Sequence, residues 1–333
     1  MTDLVGAILT RPSFAIEQAS AYLDRTWGIP GELHELPSER DRNFAVRLAG
    51  LNAFVLKISN LSEDVALLEM QHAALAILAG AGVPCQRPVQ SIAGDTIVRW
   101  IPSPSGDPLL TRLLTWLPGR PLAEIAPSTR STVLLEDLGA MMGRTARALL
   151  GFDHPAAHRA FQWDALRGLG VVATHAPAVV DEQRAALLAR WQRRLAPLAE
   201  LMPGLRQGVI HNDANDYNVL VAEDGRSITG LLDLGDAVHS ILANELAVAA
   251  AYAALDAPDA LGAIESVGRG FEHELALTEG ERAVVLDLVA LRLCTSVALS
   301  AHQSRLAPDD AYLTISERPA WDLLATLEAA RDR

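Results

Sequence analysis

The chain has 333 residues, half of them hydrophobic and 21% charged, with a formal net charge of −13. A chain this long and apolar builds sizeable cores and exceeds one compact domain, so two domains are expected and global disorder is excluded. The acidic balance argues against nucleic acid or an anionic membrane as partner, and suits a cationic or amine-bearing ligand.

The N-terminal MTDLVGAILTRPSF has no basic region ahead of its short apolar stretch, so no secretory signal is predicted. Ser13 is a candidate cap for a helix ending at Gly28. Strand-like runs follow over 31–36, 43–49 and 53–59, with Gly50 and Asn52 marking a tight turn between the last two. Ser62 is the candidate cap of the next helix, SEDVALLEMQHAALAILAG. Two more strands are expected near 95–101 and 109–116. Two prolines and a glycine in LPGRPL (117–122) then break the pattern.

The remainder reads as helical, over 129–150, 182–200, 241–256, 259–275, 279–303 and 318–332. An embedded hairpin is expected where Asp224-Gly225 separates two β-branched runs. The long apolar segment 283–301 contains Asp287 and Arg292, which suits a buried helix better than a membrane span. Only Cys85 and Cys294 occur, with no C-x-x-C, which points to a reducing compartment and no cysteine metal cluster. A cytoplasmic enzyme is expected. The division expected is 1–117, β-rich, and 118–333, helical, giving an α+β fold.

The chemistry concentrates around the hairpin. IHNDANDYNVLV (210–221) precedes its first strand and LLDLGD (231–236) closes its second. Two hard oxygen ligands, Asn218 and Asp233, beside an isolated carboxylate, Asp213, suit Mg2+ rather than zinc. Asp213 is then placed to accept a proton from a hydroxyl nucleophile. Asn and Asp also populate ordinary turns. The order His211-x-Asp213-x4-Asn218, followed by Asp233-Leu234-Gly235 after a hairpin, nevertheless matches the catalytic loop of protein-kinase-like enzymes.

Upstream, such an enzyme needs a strand lysine on the nucleotide phosphates and a helix glutamate paired with it. Lys57, in AFVLKIS, is the only lysine among 28 Lys and Arg residues. A chain that otherwise uses Arg has reason to keep a compact ammonium where a planar fork does not fit. Glu69, amid the apolar Leu67, Leu68 and Met70, is the candidate partner.

These motifs resemble the aminoglycoside phosphotransferase family of small-molecule kinases, and within it the hydroxylysine kinases and the kinase domains fused to class III aminotransferases. The resemblance extends over nearly the whole chain, including LPSERDRNF (36–44), FQWDAL (161–166) and ERPAWDLL near the end. It implies a bilobal protein-kinase-like fold with Asp213 as catalytic base, Asn218 and Asp233 on Mg2+, and Lys57 with Glu69 ordering the phosphates. His211 becomes a structural brace, and Thr115–Leu117 the hinge holding the nucleobase of ATP or GTP. Asn212 replaces the family's usual glycine, and Leu234 a common phenylalanine. No G-x-G-x-x-G occurs; the turn PSERDRN takes its place, with Ser38 and Arg40 or Arg42 as candidate phosphate contacts.

For the acceptor, the candidates are Asn215, Asp216, Asp236, Glu245, Tyr252, Trp163, Asp164 and Arg292. Arg292 is open to two readings, a substrate carboxylate ligand or an internal ion pair with Asp287 or Glu245. The expected acceptor is a small hydroxylated amine or amino acid, with 5-hydroxylysine foremost and homoserine-, choline/ethanolamine- or aminoglycoside-type alcohols as alternatives. A catalytically silent binding module is the competing class.

Overall fold

The structure is a computed structural model describing residues 11–38, 41–102, 106–306 and 317–331. The chain divides into two compact units, one of residues 1–79 and 85–117, the other of 80–84 and 118–333.

In the first unit, α1 (Ile16–Trp27) starts from Ala15, not Ser13, because Gln18 Oε1 accepts the Ala15 N–H at 2.8 Å. It stops at Gly28, whose left-handed φ of 68° lets its N–H return to Asp24 O. Then come β1 (Glu32–Leu36), β2 (Arg42–Leu48) and β3 (Leu51–Ile58). The β2–β3 turn runs through Ala49 and Gly50, both at positive φ, which matches the twist of paired strands. The next helix, α2 (Val65–Gly80), starts later than Ser62 suggests. Asp64 Oδ1 accepts the Ala66 N–H, while the Ser62 hydroxyl donates to Asn60. The sheet is completed by β4 (Pro88–Val89), β5 (Val98–Trp100) and β6 (Leu109–Thr115), in the order β1-β2-β3-β6-β4 with β5 also on β6. One face of the sheet packs on α1 through Tyr22, Leu23, Phe44, Leu56 and Trp100.

The second unit is helical with two small sheets. Its elements are β7 (Arg120–Pro121), α3 (Thr132–Ala148), α4 (Ala165–His175), α5 (Glu182–Leu195), a single turn α6 (Leu198–Leu201) and β8 (Gln207–Ile210). The predicted hairpin follows as β9 (Val219–Val221) and β10 (Ile228–Leu231), then β11 (Val238–Ile241), α7 (Leu242–Ala254), α8 (Ala260–Glu274), α9 (Glu279–Leu306) and α10 (Glu317–Arg331). α4, β8 and β11 are additional to the sequence expectation. Helices α3 and α8 approach so closely that a Cβ at Gly139 would lie 1.9 Å from Val267 O, so only glycine fits there. α9 is long and apolar enough to cross a membrane, but 72% of its most apolar stretch is buried within the protein, marking it as a core helix.

Strand pairing explains how the motif assembles. β8 pairs antiparallel with β11, with Ile210 opposite Val238, and β9 pairs with β10, with Val219 opposite Leu231. The connection 211–218 joins β8 to β9, and the connection 232–237 joins β10 to β11. Two loops whose flanking strands are paired at both ends must run side by side.

Candidate active site

The contact between the two loops is direct. Leu232 N–H donates to Asn218 O at 2.8 Å, setting Asp233 next to Asn218. His211 is buried and donates from Nε2 to Leu232 O at 2.8 Å, while its Nδ1 accepts the Asp213 N–H at 3.2 Å. Those two bonds require the neutral ring with its proton on Nε2, and burial pushes the imidazole down to about 4. His211 is thus a neutral tie between the loops, as a brace should be.

Asp213 is held at both oxygens. Oδ2 accepts from Asn215 at 2.9 Å and Asn218 at 2.7 Å, and Oδ1 from Arg292 at 3.1 Å. Burial raises its carboxyl above the usual carboxylate range; Asp236 adds to the shift and Arg292 opposes it. Asn218 Nδ2 also donates to Asp213 O at 3.0 Å, so its amide hydrogens are engaged and its oxygen is the atom left for a cation. Asp233 sits at φ 58° with Oδ1 accepting the Gly235 N–H at 2.9 Å.

Asn212 explains its own substitution. Its φ is 66°, the left-handed region where glycine is unstrained and Asn is among the best-tolerated side chains. The side chain then works as a strut. Nδ2 donates to Trp163 O and Asp236 O, and Oδ1 accepts from Asn244 at 2.9 Å. Sequence reasoning noted Asn212 only as a departure and missed Asn244. The signal available was an amide at a glycine position with a second amide at the start of α7.

The proposed acceptor residues separate. Trp163, Tyr252 and Arg292 come together around Asp213: the Arg292 guanidinium lies over the Trp163 ring at 4.3 Å and donates to Tyr252 OH at 3.4 Å. Neither expected internal partner of Arg292 is used, since Asp287 pairs with Arg331 and Arg292 pairs with Asp213. Four others are committed to structure. Glu245 is 1% exposed and accepts the Asn212 N–H, with burial pushing its carboxyl up to about 8. Asp216 takes a salt bridge from the buried Arg130. Asn215 Oδ1 accepts the Tyr217 and Asn218 N–H groups and closes the loop turn. Asp164 caps α4 and accepts from Ser240. Asp236 lies close enough to raise the Asp213 carboxyl.

In the first unit, Lys57 is buried on β3, opposite Asn43 on β2 and Arg112 on β6. Glu69 is solvent-exposed on α2 and makes no ion pair with Lys57 among the described residues, contrary to the expected pairing. The residue that α2 turns toward this sheet is Gln71, whose Oε1 accepts from Arg112. In the PSERDRN turn, Ser38 Oγ accepts the Asp41 N–H, and Arg40 lies outside the described residues. Arg42 is engaged within the unit: its Nε and Nη2 donate to Glu35 at 3.0 Å, and its Nη1 donates to Phe14 O. At the expected hinge, the Thr115 N–H donates to Arg87 O and its carbonyl accepts from Gln86.

Residues 32–282 match the phosphotransferase enzyme family model. The chain is 30% identical to hydroxylysine kinase of Bos taurus, over 94% of this chain and 89% of that one. Among solved structures it is similar to a microcompartment-associated aminopropanol kinase, with TM-score 0.75 and 18% identity over 95% and 98% of the two chains. It is also similar to an amicoumacin kinase in complex with AMP-PNP and Ca2+, with TM-score 0.70 and 15% identity over 93% of each. The fold is therefore bilobal, α+β and kinase-like.

Proposed function

We propose, from the premise that the chain belongs to the phosphotransferase enzyme family, that it transfers the γ-phosphoryl group of ATP or GTP to the hydroxyl of a small amine or amino acid, with 5-hydroxylysine the foremost acceptor. The observation that carries the reading is the pair of adjoining loops, with the Asn218 amide bonded to Asp213 and its backbone bonded to Leu232 beside Asp233. Full-length similarity to hydroxylysine kinases supports the acceptor.

The donor set fits the expected metal. Asn218 and Asp233 offer an amide and a carboxylate oxygen, hard ligands that suit Mg2+ together with nucleotide phosphates. Bound there, Mg2+ supplies charge neutralisation on the phosphate oxygens. Asp213 is the base. Asn215, Asn218 and Arg292 orient its carboxylate, and the acceptor's hydroxyl proton passes to one of its oxygens as the acceptor oxygen bonds to the γ-phosphorus and the bond from that phosphorus to the bridging oxygen breaks, releasing nucleoside diphosphate. His211, Asn212 and Glu245 fix the loop backbone so that this carboxylate needs little reorganisation. Lys57 binds the phosphates as a compact point charge, and Glu69 acts on it only after a rearrangement of α2 or of the Glu69 side chain. Ser38 and the backbone at Leu117 are the remaining proposed nucleotide contacts.

The test is nucleoside diphosphate release in the presence of Mg2+, ATP or GTP and a panel of hydroxylated amines and amino acids. Release stimulated by 5-hydroxylysine above the rest supports the reading. Nucleotide binding without acceptor-stimulated release on any compound contradicts it.

A further inference from the structure

Arg292 is 6% exposed, yet its Nε and Nη1 atoms have no hydrogen-bond partner. Only Nη2 is engaged, by Asp213 Oδ1 at 3.1 Å and Tyr252 OH at 3.4 Å. A buried guanidinium with unpartnered N–H groups is unfavourable, and among the described residues Arg292 is the arginine with two such atoms. The surrounding rings restrict what can partner them. Trp163 covers the guanidinium at 4.3 Å and Tyr252 stands at 5.6 Å, so the in-plane N–H edges are what remains for a ligand, and Nε and Nη1 are closed to solvent until one enters. Arg292 and Tyr252 also line a small cleft with Ala251, Leu255, Leu293 and Ser296.

We infer that Arg292 binds the carboxylate of the acceptor, so that the enzyme selects hydroxylated amino acids over the matching carboxylate-free amino alcohols. The inference rests on the proposed acceptor class and adds to it a required group and the residue that reads it. With Nη2 engaged, the Nε–H and Nη1–H groups each offer a separate charge-assisted hydrogen bond, which favours an anionic carboxylate oxygen over a hydroxyl or an ether oxygen. The same guanidinium bonded to Asp213 places that carboxylate within one small molecule's length of the base, which is the geometry an amino acid with a side-chain hydroxyl requires. An ammonium group, by contrast, is repelled from this edge. Trp163 and Tyr252 are positioning residues here, since they hold the guanidinium by its faces.

The experiment compares acceptors in matched pairs with the native enzyme, Mg2+ and nucleotide: 5-hydroxylysine and its decarboxylated diamine, homoserine and 3-aminopropanol, serine and ethanolamine. In each pair that turns over, kcat/KM is expected to favour the carboxylate-bearing member by about tenfold to a hundredfold. Arg292→Gln is expected to lower kcat on both members, because Arg292 also holds Asp213, and beyond that common loss to collapse the ratio by raising KM for the amino acid, with Arg292→Lys restoring part of it. Equal use of both members by the native enzyme overturns the inference without any variant, so a folding defect in Arg292→Gln does not protect it. A variant that loses kcat on both members by the same factor, keeping the ratio, also overturns it and leaves Arg292 as a support for Asp213. Turnover of no member of any pair, with other alcohols accepted, contradicts the acceptor class itself and removes the basis of the inference.

Discussion

The loop over 211–218 and the Lys57–Glu69 pair are two halves of one expected chemistry, and they are built differently. In the loop, Asp213 is held by Asn215, Asn218 and Arg292, and the backbone beneath it by His211, Asn212 and Glu245. Lys57 lies on a regular strand and Glu69 on an exposed helix face, with no ion pair between them. A motif closed by its own chain over a few residues is shaped by that closure. A pair drawn from a strand and a helix depends on helix rotation, where each residue turns the side chain by about 100°. Gln71, only two positions on, holds the inward direction that Glu69 lacks.

Breaking the metal side of the two adjoining loops carries the largest expected effect on nucleotide binding. Asp233→Ala should weaken Mg2+–nucleotide binding by more than about a hundredfold, read by calorimetry with and without Mg2+. Next is Lys57→Arg, conservative in charge, which should lower kcat/KM by about a hundredfold because a planar fork does not replace a compact ammonium between phosphates. Wild-type turnover in that variant would return the lone lysine to coincidence.

A smaller effect concerns the loop's foundation. Burial raises the Glu245 carboxyl from 4.5 to about 8. The folded state therefore keeps a proton that the unfolded chain releases, so this group's contribution to stability is full below about 4.5 and falls as pH rises toward 8. The slope is up to about 1.4 kcal/mol per pH unit. Glu245→Gln should flatten the pH dependence of the unfolding midpoint across that window; an unchanged profile would show that Glu245 is not protonated at neutral pH. The smallest effect is on the other half. Glu69→Gln should leave stability within about 0.5 kcal/mol, since the structure gives it no partner to lose. A large destabilisation would mean that the Lys57 pair is formed without nucleotide.

The same contrast explains what the sequence disclosed. The hairpin, the turn at Gly50 and the end of α1 at Gly28 carry local chemistry, and they lie where the residues predict. The helix starts shifted because Gln18 takes the Ala15 N–H that Ser13 was expected to cap, and because Ser62 donates its hydroxyl to Asn60 while Asp64 caps the Ala66 N–H. The pairing of β8 with β11 was hidden, since each is a four-residue strand joined only through distant contacts. Spacing singled out Asp213, Asn218 and Asp233, and the structure brings the three together on adjoining loops. Glu245 and Asp216 read as substrate carboxylates because sequence reveals charge and not burial; one lies under the loop and the other faces Arg130. Arg292 could be read either way until its partner was known to be Asp213 itself.

The most direct test of the central claim is phosphoryl transfer by Asp213→Asn, measured beside nucleotide affinity in the same preparation. The account predicts that transfer falls by about ten-thousandfold while affinity for Mg2+–nucleotide stays within about twofold, because the base touches the acceptor and not the donor. Transfer persisting near the native rate would contradict the assignment of Asp213 as the base.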